Sequence, residues 1–118
     1  MKRLFIVLIL FFGVVSSVFA ISYPTYKGYV NDFAEVLSPE FESGLEKKLS
    51  DFDKRTTNQI AVVTIKSTQP EVIEEYAIHL ADQWKPGQKG KDNGVIMLFA
   101  MEDRKMRIEV GRGLEGEL

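Results

Sequence analysis

The clearest pattern in the first half of the chain is a set of apolar residues that recur every three or four positions. Ser38 precedes them and can cap free N–H groups, while Pro39 occupies a first-turn position where its missing donor is harmless. A polar run, residues 54–58, ends the pattern. The spacing predicts an amphipathic helix with one apolar stripe. The stripe consists of Phe41, Leu45, Leu49 and Phe52.

A second helix is predicted between two strongly apolar segments. Residues 59–65 and 94–100 are rich in β-branched or large apolar side chains, as strands covered on both faces are. Pro70 and Glu71 are predicted to open the helix between them, which has a well-buried face. That face comprises Val72, Ile73, Tyr76, Ala77, Leu80, Ala81 and Trp84.

The last regular segment has a different period. Residues 105–110 alternate polar and apolar side chains, and a charged turn, residues 101–104, separates them from the preceding strand. Alternation with period two predicts a strand with one solvent-facing or charged face. Together with residues 94–100 this segment forms a predicted hairpin.

The predicted order is therefore helix, strand, helix, strand, strand. A strand–helix–strand unit implies a parallel pair with a right-handed crossover, and the hairpin adds an antiparallel strand. We predict an α/β fold, a three-layer α/β/α sandwich around a mixed sheet, over residues 38–118. Residues 21–37 are predicted to be an extended lead-in whose tyrosines either pin it to the domain or form a ligand surface.

The N-terminal residues 1–20 have the pattern of a signal peptide. A basic start at Lys2 and Arg3 precedes an apolar run, residues 4–15, and small residues frame the Val18–Ala20 junction. The run has 12 residues, whereas about 20 are needed to span a bilayer. We expect an exported protein on the periplasmic or extracytoplasmic side, with a retained membrane anchor as the alternative. Removal of residues 1–20 leaves 98 of the 118 residues, which is enough for one domain.

Composition excludes several classes of function. The chain has no Cys, which rules out a disulfide-linked partner, a Cys-ligated metal and a thiol nucleophile. Without residues 1–20 the net charge is −4, from 13 basic and 17 acidic side chains, so a nucleic-acid partner is not expected. The single His, His79, is predicted to be a surface residue.

Connectivity alone brings several loops to one edge of the predicted sheet. Asp92, Asn93 and Glu115 supply hard oxygen ligands there, suited to calcium or another divalent cation, and nearby glycines allow close backbone approach. Lys89, Lys91 and Arg112 are candidate anion-binding residues that could hold a phosphate beside such a metal. The alternative is an ordinary turn next to a solvated basic loop.

A rival metal site lies at the opposite edge. Asp32 precedes the first helix and Asp103 lies in the hairpin turn. The two aspartates can equally serve as cap and turn residues. A covalent phosphatase needs a nucleophile with a base in reach, and no recognisable spacing supplies that pair.

Five segments in sequence resemble motifs of the TPM domain family, the YgcG-like exported proteins. Val30–Ser38 is similar to the opening of the domain, and the resemblance covers roughly residues 24–118. The later motifs are Trp84 with Gly87, Lys91–Val95, Asp103–Lys105 and Ile108–Gly116.

The resemblance implies an α/β/α sandwich in an exported or membrane-tethered protein. It also implies one of several roles: divalent-cation binding, acid phosphatase activity, or assembly and repair of membrane complexes with a protein partner. Fold alone does not choose among these roles. A TPM domain normally continues past residue 118 with further helices, so the resemblance implies that C-terminal helices are missing and the domain is incomplete. The leading expectation is a cation-binding accessory or interaction module of the cell envelope, and the alternative is a metal-dependent acid phosphatase.

The first testable prediction concerns processing. Because the small residues end at Ala20, we expect the exported protein to begin at Ile21 and to lack residues 1–20. Intact mass spectrometry of secreted or periplasmic material measures this directly. Recovery of the uncleaved chain in the membrane fraction would instead support an anchor.

Overall fold

The computed structural model describes residues 21–116, and the predicted signal peptide lies outside them. The described elements are two helices and four strands, followed by a short 3₁₀ turn. In chain order they are β1 (Val30–Asp32), α1 (Pro39–Thr56), β2 (Gln59–Ile65), α2 (Ile73–Trp84), β3 (Gly94–Ala100), β4 (Lys105–Val110) and the 3₁₀ turn (Arg112–Leu114).

The strands form one mixed sheet in the order β1-β2-β3-β4. β1, β2 and β3 are parallel, and β4 is antiparallel to β3. The predicted α/β class and the mixed sheet are confirmed. One element is missing from the predicted order, because the extended lead-in contains β1. Its sequence has two polar residues in three, and the buried Asn31 is accommodated because its amide donates to the carbonyls of Gly28 and Val62.

Helix α1 begins as predicted. The Ser38 hydroxyl accepts a hydrogen bond from the Phe41 N–H at 3.1 Å, which satisfies one of the free donors of the first turn. Helix α2 begins at Ile73, later than the predicted opening at Pro70 and Glu71, because the Glu71 N–H donates to the Thr68 carbonyl in a turn of its own. The predicted stripe of α1 is only partly buried: Leu49 is buried, whereas Phe41 is exposed.

The main core lies between α2 and one face of the sheet. Alternate residues of β2 and β3 point toward α2, as the pleat requires, and Tyr76, Ala77 and Leu80 of α2 pack on them. The sheet residues of this core are Ala61, Val63, Ile65, Ile96, Leu98 and Ala100.

The opposite face of the sheet is covered by α1 over β1 and β2. Leu49 and Val30 are buried there, outside the main core. Toward β4 the same face stays open, and Met106 and Ile108 are 50% and 47% exposed. The two helices thus serve different faces of the sheet, and the β3–β4 part of one face is the more exposed.

The N-terminal lead-in is held against α2. The Trp84 indole N–H donates to the Pro24 carbonyl at 2.8 Å. The rings of Tyr23 and Tyr76 lie 4.9 Å apart, and those of Tyr26 and Trp84 lie 5.2 Å apart. The tyrosines therefore attach an extended arm to the domain, one of the two interpretations left open by the sequence.

A core substitution tests this packing. Leu80 is completely buried in the main core, so Leu80→Ala is expected to lower the free energy of unfolding by about 2–5 kcal/mol. Ile78, on the same helix, is exposed, and Ile78→Ala should change stability by less than about 0.5 kcal/mol. Urea unfolding of the two variants provides the comparison, and equal losses would contradict the assigned helix face.

Candidate functional site

The parallel strands sort the loops into two groups, one at each end of the strands. The amino edge, where β1–β3 begin, carries residues 54–58, 85–93 and 111–116. The carboxyl edge, where these strands end, carries residues 32–42, 66–75 and 101–105. Ligands in α/β proteins typically bind outside the carboxyl ends of parallel strands.

Asn93 connects two loops of the amino edge through hydrogen bonds. It is buried, its side-chain oxygen accepts from the Gln88 N–H, and its amide donates to the Thr57 carbonyl, both at 2.7 Å. This joins the end of α1 to the loop that precedes β3. The Asn93 side chain is therefore occupied by the protein, which gives it a structural role in addition to any ligand role.

Glycines let the loops of the amino edge approach each other closely. The N–H groups of Gly111 and Gly113 donate to the carbonyls of Gly94 and Asp92 at 2.8 and 3.0 Å. A Cβ atom on Gly113 would lie 2.0 Å from the Lys91 carbonyl oxygen. The predicted close approach is present, and backbone rather than ligand fills the space.

The charged candidates of the amino edge lie at the surface. Asp92 and Glu115 are exposed, and so are the three candidate anion-binding residues, Lys89, Lys91 and Arg112. Asp92 adopts the left-handed conformation, with a φ of 48°. The topology thus brings these side chains to one edge, as connectivity predicts. Within residues 21–116, however, no three acidic or His side chains form a group that could hold a metal.

Asp32 ends β1 at the carboxyl edge and organises the start of α1. Its carboxylate accepts from the Thr64 hydroxyl at 2.5 Å and from the N–H groups of Val36 and Leu37 at 3.1 and 2.9 Å. Burial raises the pKa of Asp32, but these hydrogen bonds outweigh it, so the pKa is lowered below 3.8. Asp32 therefore holds the turn that leads into α1, while Ser38 caps the helix itself.

Asp103 ties the β3–β4 turn to the loop after β2. The Ser67 hydroxyl donates to its carboxylate at 2.8 Å, and the Thr68 N–H donates to it at 3.0 Å. The Thr68 N–H, followed by Ser67, lowers the pKa of Asp103 below 3.8. Like that of Asp32, its pKa is lowered by hydrogen bonds, and the two carboxylates have different hydrogen-bond partners.

Charge divides between the two edges. The segments of the carboxyl edge contain nine acidic and three basic residues, whereas those of the amino edge contain six basic and two acidic residues. Helix N-termini account for part of this division, because α1 and α2 both begin at the carboxyl edge and favour acidic residues there. A cation is therefore attracted to the carboxyl edge, and an anion to the amino edge.

A further polar cluster, which the sequence pattern does not predict, joins the N-terminal arm to α2. The Tyr23 hydroxyl donates to Glu71 at 2.7 Å and lies 2.8 Å from His79 Nδ1, which is also 2.8 Å from the second Glu71 oxygen. Burial, followed by the hydrogen bond to Glu71, raises the pKa of Tyr23 to about 12. His79 is exposed, as predicted, but it has an acidic partner. The sequence does not indicate the three-residue cluster, because Tyr23 is 56 residues from His79.

An open depression of about 530 Å³ adjoins this cluster. It is lined by Ile21, Tyr23, Glu71, His79, Asp82 and Gln83. The Glu71 side chain is only 8% exposed. Its carboxylate therefore interacts mainly with Tyr23 and His79 rather than with water. The cluster thus holds the N-terminal arm on α2.

The fold and the arrangement of motifs define an α/β domain of a known class. The TPM domain family model (TPM_phosphatase) matches residues 30–118, and the chain belongs to the TPM domain family. Of the helices within residues 21–116, none combines the length and apolar character needed to cross a membrane.

One relative and two solved structures show the extent of the similarity. The chloroplastic UPF0603 protein At1g54780 of Arabidopsis thaliana is 32% identical over 81 residues, which is 67% of this chain and 28% of that protein. The N-terminal domain of a P. gingivalis protein, solved by NMR, is 32% identical with a TM-score of 0.68, over 75% of this chain and 56% of that one. The N-terminal domain of the cg2496 protein of Corynebacterium glutamicum has a TM-score of 0.62 at 21% identity, over 83% and 63% of the two chains. The present chain thus spans less than two thirds of each.

The role of Asp32 can be tested by pH. Asp32→Asn keeps the size of the side chain but removes its charge, so we expect a loss of about 1–3 kcal/mol at neutral pH. Because the folded-state pKa is lowered, the contribution of Asp32 is present above about pH 4 and disappears as the pH falls through the folded-state pKa. Thermal unfolding from pH 2 to pH 7 should show the variant and the parent converging in acid.

Asp51 provides the matched control, since it is an exposed aspartate on α1. Asp51→Asn should change the stability at neutral pH by less than about 0.5 kcal/mol. A constant difference between Asp32→Asn and the parent at all pH values would contradict the role assigned to the charge.

Proposed function

We propose that this TPM domain is a divalent-cation-binding accessory or interaction module of the cell envelope, on the periplasmic or extracytoplasmic side of the membrane. The observation that carries the proposal is the pair of aspartates at the carboxyl edge, Asp32 and Asp103. Both have lowered pKa values, and both accept hydrogen bonds from uncharged donors. Their negative charges therefore remain available to a cation.

The lowered pKa values favour cation binding over acid–base chemistry. A general base works best when its pKa lies near the operating pH, whereas the hydrogen bonds at Asp103 move its pKa away from neutrality. A carboxylate that stays ionised is instead suited to hold calcium or another hard cation through oxygen.

The proposal assigns the cation to the carboxyl edge, at Asp103, rather than to Asp92, Asn93 and Glu115. Two observations support this choice. The Asn93 amide is already hydrogen bonded within the protein, and the amino edge carries an excess of basic residues. Lys89, Lys91 and Arg112 are better suited to an anionic group of a partner, which we take to be a membrane-complex protein.

The affinity for the cation should be weak. Calcium takes six to eight oxygen ligands, and residues 21–116 contain no cluster of three acidic or His side chains to supply them. Water and backbone carbonyls would complete the shell around Asp103. Such sites typically have dissociation constants of about 10⁻⁴–10⁻³ M, in the range of extracellular modules.

The second candidate function is a metal-dependent phosphomonoesterase. It is favoured by the name of the matching family model, TPM_phosphatase, and by the hydrogen bond between the Ser67 hydroxyl and Asp103. The lowered pKa of Asp103 makes it a weak base for activating that hydroxyl. Metal-dependent hydrolysis of p-nitrophenyl phosphate that is lost in Asp103→Asn would favour the enzyme.

Calcium-dependent stability tests the proposed cation site. A ligand that binds only the folded protein raises the melting temperature by mass action, so we expect millimolar calcium to stabilise the parent. Asp103→Asn should lose this response, while Asp92→Asn should keep it. Loss of the response in Asp92→Asn alone would move the site to the amino edge, and no response in the parent would overturn the proposal.

A further inference from the structure

Strand β4 is an edge strand of the sheet. Within residues 21–116, β3 is the one strand that pairs with it. Its first four residues, 105–108, are all exposed. An edge strand of this kind presents unpaired N–H and C=O groups, which are a template for another strand.

The register identifies which backbone groups face outward. The Gly111 N–H donates to the Gly94 carbonyl, so these opposite residues form a hydrogen-bonded pair. Such pairs alternate along an antiparallel ladder. The backbone groups of Arg107 and Glu109 therefore face β3, and those of Met106, Ile108 and Val110 face away from it.

The sequence of β4 is complementary to itself when it is reversed. If two copies pair antiparallel with Ile108 opposite the partner's Ile108, Arg107 lies opposite the partner's Glu109, and Met106 lies opposite the partner's Val110. Opposite charges then meet on the face of the sheet that carries α2, and apolar side chains meet on the other face. Cross-strand pairs of both kinds stabilise antiparallel sheets.

Glu109 gives an independent indication. One of its carboxylate oxygens, Oε2, is buried and has no hydrogen-bond donor among the described residues. The nearest charge is Arg107 of the same chain, with its Nε 3.6 Å away, too far for a good hydrogen bond. A buried acceptor without a donor is costly. The Glu109 side chain is 23% exposed, so a rotated carboxylate would gain a donor from a guanidinium opposite it on a neighbouring strand.

We propose that β4 pairs with β4 of a second copy, antiparallel and around a two-fold axis at Ile108, to form a continuous eight-stranded sheet. A two-fold interface uses the same surface on both copies, which is why self-complementary charges favour a second copy over an unrelated strand. The register centred on Arg107 is disfavoured because it places two arginines opposite each other. The half-exposed Met106 and Ile108 extend the open apolar face across the axis.

Charge reversal tests the proposed pairing in solution. We expect the purified protein to dimerise reversibly in analytical ultracentrifugation over about 1 μM to 1 mM. Arg107→Glu puts like charges opposite each other twice, and should weaken the dimer by about tenfold or more. The exchanged variant, Arg107→Glu with Glu109→Arg, restores both pairs and should restore the dimer. A protein that stays monomeric, or a dimer unaffected by Arg107→Glu, would overturn the proposal.

Disulfide cross-linking tests the position of the axis. The chain has no Cys, so a single introduced thiol can only form a bridge between copies. Directly opposite Cα atoms in a hydrogen-bonded antiparallel pair lie about 5.5 Å apart, within the range of a disulfide. Ile108→Cys should therefore cross-link under mild oxidation. Met106→Cys, at a similarly exposed position two residues away, should not, and equal cross-linking of both variants would contradict the register.

Discussion

The parallel pairing of β1, β2 and β3 is the constraint on which the other features of the domain depend. Since β2 has a parallel neighbour on each side, every connection between these strands must return across the sheet, and α1 and α2 make the two returns. Both helices therefore start at the carboxyl edge and end at the amino edge. Part of the division of charge follows from this geometry, because the positive ends of both helix dipoles lie where the acidic residues are concentrated.

The longer regular elements could be predicted from the sequence, because each combines a clear hydrophobic period with a start or stop signal. The Ser38 cap, the apolar strands β2 and β3, and the alternation in β4 are all present in the structure. β1 could not be predicted, because three residues are too few to show a period and its two polar residues depend on tertiary partners. The first residue of α2 was also missed, since the Thr68–Glu71 turn competes with the helix.

For the candidate site, the sequence predicts only the edge of the sheet at which each residue lies. Connectivity brings Asp92, Asn93 and Glu115 to one edge and Asp103 to the other, but it does not show how each side chain is used. The hydrogen bond from the Thr64 hydroxyl to Asp32 and that from the Asn93 amide to the Thr57 carbonyl join residues 32 and 36 positions apart in the chain. Residue type and spacing carry no information about such contacts. The contacts decide whether a side chain holds parts of the protein together or is free to bind a ligand.

The attachment of the N-terminal arm has a consequence for spectroscopy. Trp84, the single tryptophan of the chain, donates its indole N–H to Pro24 and stacks edge-on with Tyr26. The indole ring thus lies between the arm and the domain and contacts both. Its fluorescence emission is consequently a built-in reporter of arm docking: detachment exposes the indole to water and shifts the emission to longer wavelength while the β-sheet signal in circular dichroism stays constant.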